Sequence, residues 1–197
     1  MNLKKNKIGI LGGSFDPAHK GHLAISKETI KRFKLKKVVW AITKKNPFKK
    51  KSSLDLANRI KICKKILKKI KTIEVKFYED KIKSNKTISL INYFTKDKKN
   101  EIYFIMGADN LINFHKWQNA HRIFNEIPIV VFRRYGYNQQ ALKSYISNLY
   151  KNFRLKHKNI HIDNFNQLPA WTIIQNKEIK ISSTEIRKQR ELLRPKN

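Results

Sequence analysis

Short apolar runs punctuate this chain at intervals: "KIGIL" (7–11), "KVVWAI" (37–42), "IEVKF" (73–77), "EIYFIM" (101–106) and "IPIVVF" (127–132). Each is β-branched or aromatic and nearly continuous rather than alternating, as in strands covered on both faces. Between them lie stretches with helical spacing at 21–33, 53–70, 87–96, 109–126 and 139–151. In "LANRIKICKKILKKI", Leu56, Ile60, Cys63, Ile66, Leu67 and Ile70 fall on one stripe with lysines opposite, which predicts an amphipathic helix. Strand then helix, repeated, predicts an α/β fold: a doubly wound, mostly parallel sheet wrapped by helices. A short strand near "NKEIKI" and a last helix from Ser182 complete the pattern. With 197 residues, no repeat and no Ser/Gly/Pro-rich linker, the chain reads as one domain spanning 1–197.

Composition changes this picture little. Lys plus Arg number 45 against 14 Asp plus Glu, a formal charge of +31. Such a field attracts polyanions, whether nucleic acid, membrane surfaces or phosphorylated small molecules. The lysines are spread along the whole chain, as a compositionally biased genome would produce, and "KKNPFKKK" and "KKILKKIK" are only local clusters. No specific nucleic acid is therefore expected as a partner, although a basic nucleic-acid-binding protein without catalysis remains the reading from another class. Cys63 is the only cysteine, so no intrachain disulfide can form; helical periodicity makes it a core position. No apolar run approaches membrane-spanning length, and the one near the N-terminus is too short for a secretory signal. A cytoplasmic protein with no membrane partner is expected.

The chemistry concentrates in "GILGGSFDPAHKGHL" (9–23), which holds four of the six glycines and two histidines three residues apart. The segment follows the first strand, hence the edge where open parallel sheets bind ligands. Gly12 and Gly13 would let a phosphate or a nucleotide ring approach the backbone. Ser14, Asp16 and Pro17 are turn and helix-start residues, and His19 and His22 fall on one face of a first helical turn or the loop entering it. A helix N-terminus favours anions, and two imidazoles there can donate hydrogen bonds to phosphoryl oxygens. As metal ligands the pair lacks a nearby Cys or Glu to complete a set, so no protein-held metal is expected. Near the other end, "ISSTEIRKQ" (181–189) offers a capping box of Ser182 and Glu185, phosphate donors in Ser183 and Thr184, and Arg187 one turn along.

"GGSFDPAHKGH" together with "ISSTEIR" resembles the paired signatures of the nucleotidyltransferase superfamily, whose members transfer a nucleoside monophosphate from a triphosphate and release pyrophosphate. "WAITKKNPFKK" (40–50), "IMGADNLINFHKW" (105–117) and "VVFRRYGY" (130–137) extend the likeness, in order, to the nicotinate-nucleotide adenylyltransferase family. The resemblance implies a Rossmann-like nucleotidyltransferase fold. It also implies adenylyl transfer from ATP to nicotinate mononucleotide in NAD biosynthesis, with Mg2+ carried by the ATP. Siblings acting on nicotinamide mononucleotide or phosphopantetheine share the chemistry.

Carried over by resemblance, His19, His22 and Arg187 would act on the ATP phosphates. Gly12, Gly13, Ser14, Phe15, Asp109, Ser183 and Thr184 would bind the nucleotide. Thr87 would receive the nicotinate carboxylate on its backbone, and Trp117 would stack on the pyridine ring. Lys44, Lys49 and Arg134 would supply charge near the phosphates. Trp117 also fits a core aromatic, Asp109 a helix cap, and Lys44 and Lys49 solvated surface. The chain departs from related members at Pro47-Phe48, where a Pro-His pair is common, and at Tyr135, where Arg-Pro-Gly is common. Leu90 stands where a second threonine often follows Thr87.

Overall fold

The structure, a computed structural model, describes residues 5–45, 52–156, 167–175 and 181–192. The chain runs β1 (Asn6–Gly13), α1 (Lys20–Phe33), β2 (Lys37–Ile42), α2 (Leu56–Leu67), β3 (Ile73–Phe77), α3 (Glu79–Ile82), α4 (Thr87–Thr95) and β4 (Asn100–Gly107). It continues through α5 (Ala108–Ile112), a 3-10 turn (Phe114–Lys116), α6 (Ala120–Glu126), β5 (Ile129–Phe132), α7 (Asn138–Leu142) and α8 (Tyr145–Leu149). A second 3-10 turn (Lys151–Phe153), β6 (Arg154–Leu155), β7 (Trp171–Ile174) and α9 (Ser183–Leu192) follow.

The strands form one sheet of seven in the order β3-β2-β1-β4-β5-β7-β6. Every pairing is parallel. Alternate residues of each strand enter different cores. Ile8 and Ile10 of β1, Phe104 and Met106 of β4, and Val131 of β5 pack beneath α4, α5 and α6. Leu11, Trp40, Tyr103, Ile105 and Val130 face α1 and α2 with Phe33, Cys63 and Leu67. Two covered faces explain why the strands read as continuous apolar runs. Cys63 is fully buried, and burial pushes its thiol up to about 12. Among the described residues no helix is long and apolar enough to cross a membrane.

Four element boundaries differ from the sequence pattern. The stretch 109–126 keeps helical spacing, and Leu111, Phe114, Ala120, Ile123 and Phe124 are all buried. The chain nevertheless breaks there into α5, a 3-10 turn and α6, with Trp117 in extended backbone and Asn119 at φ 56°. Asparagine tolerates that left-handed conformation. The stretch 139–151 likewise divides at Ser144, which caps α8. Helix α2 starts later than expected, at Leu56, because the Asp55 carboxylate accepts the Asn58 N–H at 2.7 Å and so caps it. Strand β7 is only four residues long and follows Pro169, so it was not legible as a strand; residues 176–180 of "NKEIKI" lie outside the described residues.

Candidate active site

The strand order reverses between β1 and β4, so α1 and α5 leave those two strands on different faces of the sheet. A crevice opens beyond the carboxyl ends of such a pair. Here it is a cleft of about 890 Å³, lined from β1, β2, β4 and the first turns of α1, α4, α5 and α9.

The first wall is the β1–α1 loop. A Cβ on Gly12 would meet nothing nearer than the Phe104 ring at 3.8 Å, and one on Gly13 nothing nearer than Phe15 at 3.5 Å. Both are ordinary contact distances, so the protein's own packing does not require glycine at either position. What the two glycines keep clear is space in the cleft. Gly21 differs: a Cβ there would lie 2.8 Å from His19 Cε1, so glycine is what lets the His19 ring fold back over the helix.

His19 is the N-cap of α1, a place usually held by Ser, Thr, Asp or Asn. Its Nδ1 accepts the Gly21 N–H at 3.1 Å, while His22 Nδ1 accepts the His19 N–H at 3.2 Å. With Nδ1 accepting, each neutral ring carries its proton on Nε2 and is a donor there. Burial, then the positive charge of Arg134, lowers the His19 pKa to about 4, against a smaller opposing effect of Glu185. His19 is therefore a neutral hydrogen-bond donor at neutral pH. Beneath the pair lies Phe15, 2 % exposed, its ring 4.8 Å from His22 and stacked 5.1 Å from Trp40. Although Phe15 borders the cleft, its ring is part of the core, stacked on Trp40 and tilted against His22. Trp40 Nε1 donates to Ser26 Oγ, which donates to the His22 carbonyl, both at 2.8 Å.

The opposite wall at the loop's open end is α9. Ser182 Oγ accepts the Glu185 N–H at 3.1 Å, one half of the expected capping box. Ser183 Oγ donates to the Pro17 carbonyl at 2.9 Å. Arg187 donates from Nη1 to the Asp16 carbonyl at 2.6 Å and from Nη2 to Thr184 Oγ1 at 3.1 Å. The two signatures, more than 160 residues apart in sequence, thus hold one another directly. Asp16 does not cap α1. Its buried carboxylate accepts the Ser53 N–H, the Ser53 hydroxyl and the Leu54 N–H at 2.7–3.1 Å, tying the loop to the entry of α2.

At the far end, Asp109 sits in the first turn of α5 without capping it. Its Oδ2 accepts Arg134 Nη1 at 2.6 Å, and its buried Oδ1 has no hydrogen-bond partner among the described residues. Arg134 also lies over the Tyr137 ring at 5.7 Å. Trp117 is half-buried, 4.8 Å from Phe114 and 6.1 Å from Phe104, and borders the cleft with Thr87 at the start of α4. Phe114 is fully buried. The cleft therefore brings together Gly12, Gly13, Ser14, Phe15, His19, His22, Thr87, Asp109, Trp117, Arg134, Ser183, Thr184 and Arg187. Lys44 is exposed and does not line it; its N–H donates to Glu79, its carbonyl accepts from Arg59, and its charge acts on the Glu79 carboxylate. Lys49 lies outside the described residues.

Sequence reasoning missed Glu79 and Arg59. Glu79 borders the cleft, and burial raises its pKa against the opposing Lys44 N–H. Arg59 stands on the lysine-rich helix α2 and has no local signal; only its burial, 1 % exposed, marks it. Among the described residues no group of three or more His, Cys, Asp or Glu could hold a metal ion.

The chain matches the cytidylyltransferase-like family over residues 10–189. It is 54 % identical over 188 residues to a Pelagibacter ubique protein named "Probable nicotinate-nucleotide adenylyltransferase", covering 95 % of this chain and 96 % of that one. A Ruegeria sp. protein of the same name is 33 % identical over 183 residues, 92 % of this chain and 96 % of its own. The nicotinic acid mononucleotide adenylyltransferase of Plasmodium falciparum, solved in complex with NaAD, shares the fold with a TM-score of 0.66. That likeness spans 93 % of this chain and 83 % of the other at 17 % identity. By both signatures, by their meeting across one cleft and by its relatives, this chain belongs to the cytidylyltransferase-like family and, within it, to the nicotinate-nucleotide adenylyltransferases.

Proposed function

We infer that the chain, as a single domain, transfers the adenylyl group of ATP to nicotinate mononucleotide, and that His19, His22 and Arg187 carry the transfer. An oxygen of the mononucleotide 5′-phosphate attacks the α-phosphorus of ATP in line. The new P–O bond forms as the bond to the β-phosphate oxygen breaks, giving nicotinate adenine dinucleotide and pyrophosphate. The attacking oxygen is already anionic, so no side chain need act as nucleophile or base. Catalysis is then positioning and charge stabilisation. Mg2+ carried on the triphosphate, as part of the substrate, would neutralise part of its charge.

The observation that supports this most is the capped histidine pair beside glycines that the fold itself does not need. His19, neutral at neutral pH, can donate to a phosphoryl oxygen from Nε2. Arg187, with two N–H groups on protein oxygens, retains others of its five for the triphosphate. The nucleotide would rest on Gly12, Gly13, Ser14, Phe15, Ser183 and Thr184, with Asp109 near it. On the pyridine side Trp117 offers an aromatic face, the uncapped N-terminus of α4 at Thr87 suits a carboxylate, and Arg134 offers charge. A reducing, cytoplasmic setting fits the buried lone cysteine.

Pyrophosphate release with ATP, magnesium and either nicotinate mononucleotide or its amide, run side by side, tests the reading. Strong preference for the acid is expected. Preference for the amide would keep the chemistry and change the acceptor, and silence with both from folded protein would overturn it.

A further inference from the structure

Beyond Ile42 the ladder between β1 and β2 ends with one more bond, from the Thr43 N–H to the Gly13 carbonyl at 3.0 Å. Past that point the two chains diverge, and among the described residues no further ladder bond joins them. Arg59 takes over there. Its Nη1 donates to the Ser14 carbonyl and the Thr43 carbonyl, both at 2.7 Å, and Nη2 donates to the Lys44 carbonyl at 3.0 Å. Ser14 precedes Phe15 and the histidine pair, whereas Thr43 and Lys44 continue β2. One guanidinium therefore spans the gap between the phosphate loop and its neighbour, without itself lining the cleft.

Its surroundings are costly for a cation. Arg59 is 1 % exposed, and among the described residues its Nε has no hydrogen-bond partner and it belongs to no ion pair; the Glu79 and Asp55 carboxylates feel its charge without pairing with it. A leucine or methionine would fill the same core position without burying a charge. What an apolar residue could not do is satisfy three converging main-chain carbonyls at once, a task that suits the rigid fork of a guanidinium. The loop has a second tether just ahead of the same helix, Asp16 to Ser53 and Leu54, so the segment 53–59 holds it at both Ser14 and Asp16.

We propose that Arg59 is a positioning residue for adenylyl transfer: it fixes the phosphate loop against the end of β2 and so sets the position of His19 and His22 relative to the triphosphate. The proposal rests on the function inferred above. A displacement of about 1 Å at such a site costs on the order of 10²-fold in rate, so the effect belongs to turnover more than to substrate affinity.

The test compares Arg59→Lys, Arg59→Met and Arg59→Ala with the unaltered protein, by steady-state kinetics, thermal unfolding and amide hydrogen exchange of residues 13–15 and 43–45. Expected is a fall in kcat of about 10-fold for Arg59→Lys and about 10²-fold for Arg59→Met, with KM for ATP changing much less. Exchange at those amides should quicken, and millimolar ethylguanidinium should restore part of kcat to Arg59→Ala, with only the small rise in Tm that weak binding to the folded state brings. A purely structural role would lower Tm and the active fraction together and leave kcat per folded molecule unchanged. Kcat within about 2-fold of the unaltered protein in folded Arg59→Lys would overturn the proposal. Should Arg59→Met fail to fold, Arg59→Lys, which keeps the charge and most of the stem, decides. If the unaltered protein itself shows no transfer, the parent function fails separately, and unchanged exchange at the two segments in Arg59→Lys would still overturn the tether.

Discussion

His22 Nδ1 accepts the backbone N–H of His19 at 3.2 Å, and His19 in turn holds the N–H of Gly21 at 3.1 Å, leaving the ring centroids 3.9 Å apart. The two rings cap the helix and are oriented by it in the same stroke. Backbone N–H groups, those of His19 and Gly21, hold the two Nδ1 atoms as acceptors.

Removing His22 should therefore cost catalysis far more than stability. For His22→Ala we expect kcat to fall by about 10²-fold or more, the cost of deleting one well-placed donor to a developing charge. The lost half-cap costs about 0.5–2 kcal/mol, small enough for a folded protein. Pyrophosphate release together with circular dichroism checks both halves; near-normal turnover in folded His22→Ala would refute its role.

Stability should depend on His19 over an acidic window. Its folded-state pKa is about 4 against an ordinary 6.5, so between these values the unfolded chain binds the extra proton and the folded one does not. Stability from this group is fully present above 6.5 and is lost as pH falls towards 4. His19→Asn keeps an N-cap acceptor and cannot titrate. Its Tm should track that of the unaltered protein at pH 7 and fall less steeply between pH 6.5 and 4. Parallel Tm curves across that window would show that His19 does not titrate as described.

Much of this was legible in the sequence, for physical reasons that also mark where legibility ended. The parallel sheet was readable because both faces are covered, so its strands are unbroken apolar runs. The two signatures were readable because each is a short, contiguous combination of glycine, histidine or helix-start residues that the sequence shows directly. Trp117 shows the limit. Helical spacing from Leu111 to Phe124 predicts a continuous helix, yet the backbone at Trp117 is extended and its ring borders the cleft. Periodicity records which side chains are buried, and a chain broken twice can bury the same ones. Arg59 and Asp16 were illegible as tethers, because each acts on backbone brought near only by the fold.

Trp117 should separate the two substrates. Truncation to Ala removes an aromatic face that rests on Phe104 and Phe114. Stacking of a base on an aromatic side chain is worth about 1–3 kcal/mol, so KM for nicotinate mononucleotide should rise about 10-fold or more. KM for ATP should change little, and Trp117→Phe should recover part of the loss. Equal rises for both substrates would mean that Trp117 serves packing instead of the pyridine ring.

Two glycines on one strand should fail in opposite ways. A Cβ at Gly9 would sit 2.8–2.9 Å from Ile105, Leu35 and Val38, three side chains already packed together in the core. Gly9→Ala should lose about 1–3 kcal/mol through overpacking, with Tm lowered by several degrees and activity per folded molecule retained. At Gly12 the nearest neighbour is a ring at 3.8 Å, so Gly12→Ala should fold with Tm little changed. The added methyl then stands in the space the cleft keeps for nucleotide, and ATP binding should weaken about 10-fold or more, the effect growing in Gly12→Val. ATP titration of both variants beside their melting curves reads the contrast directly. Unimpaired ATP binding by folded Gly12→Val would mean that the space beside Gly12 is not where the nucleotide lies.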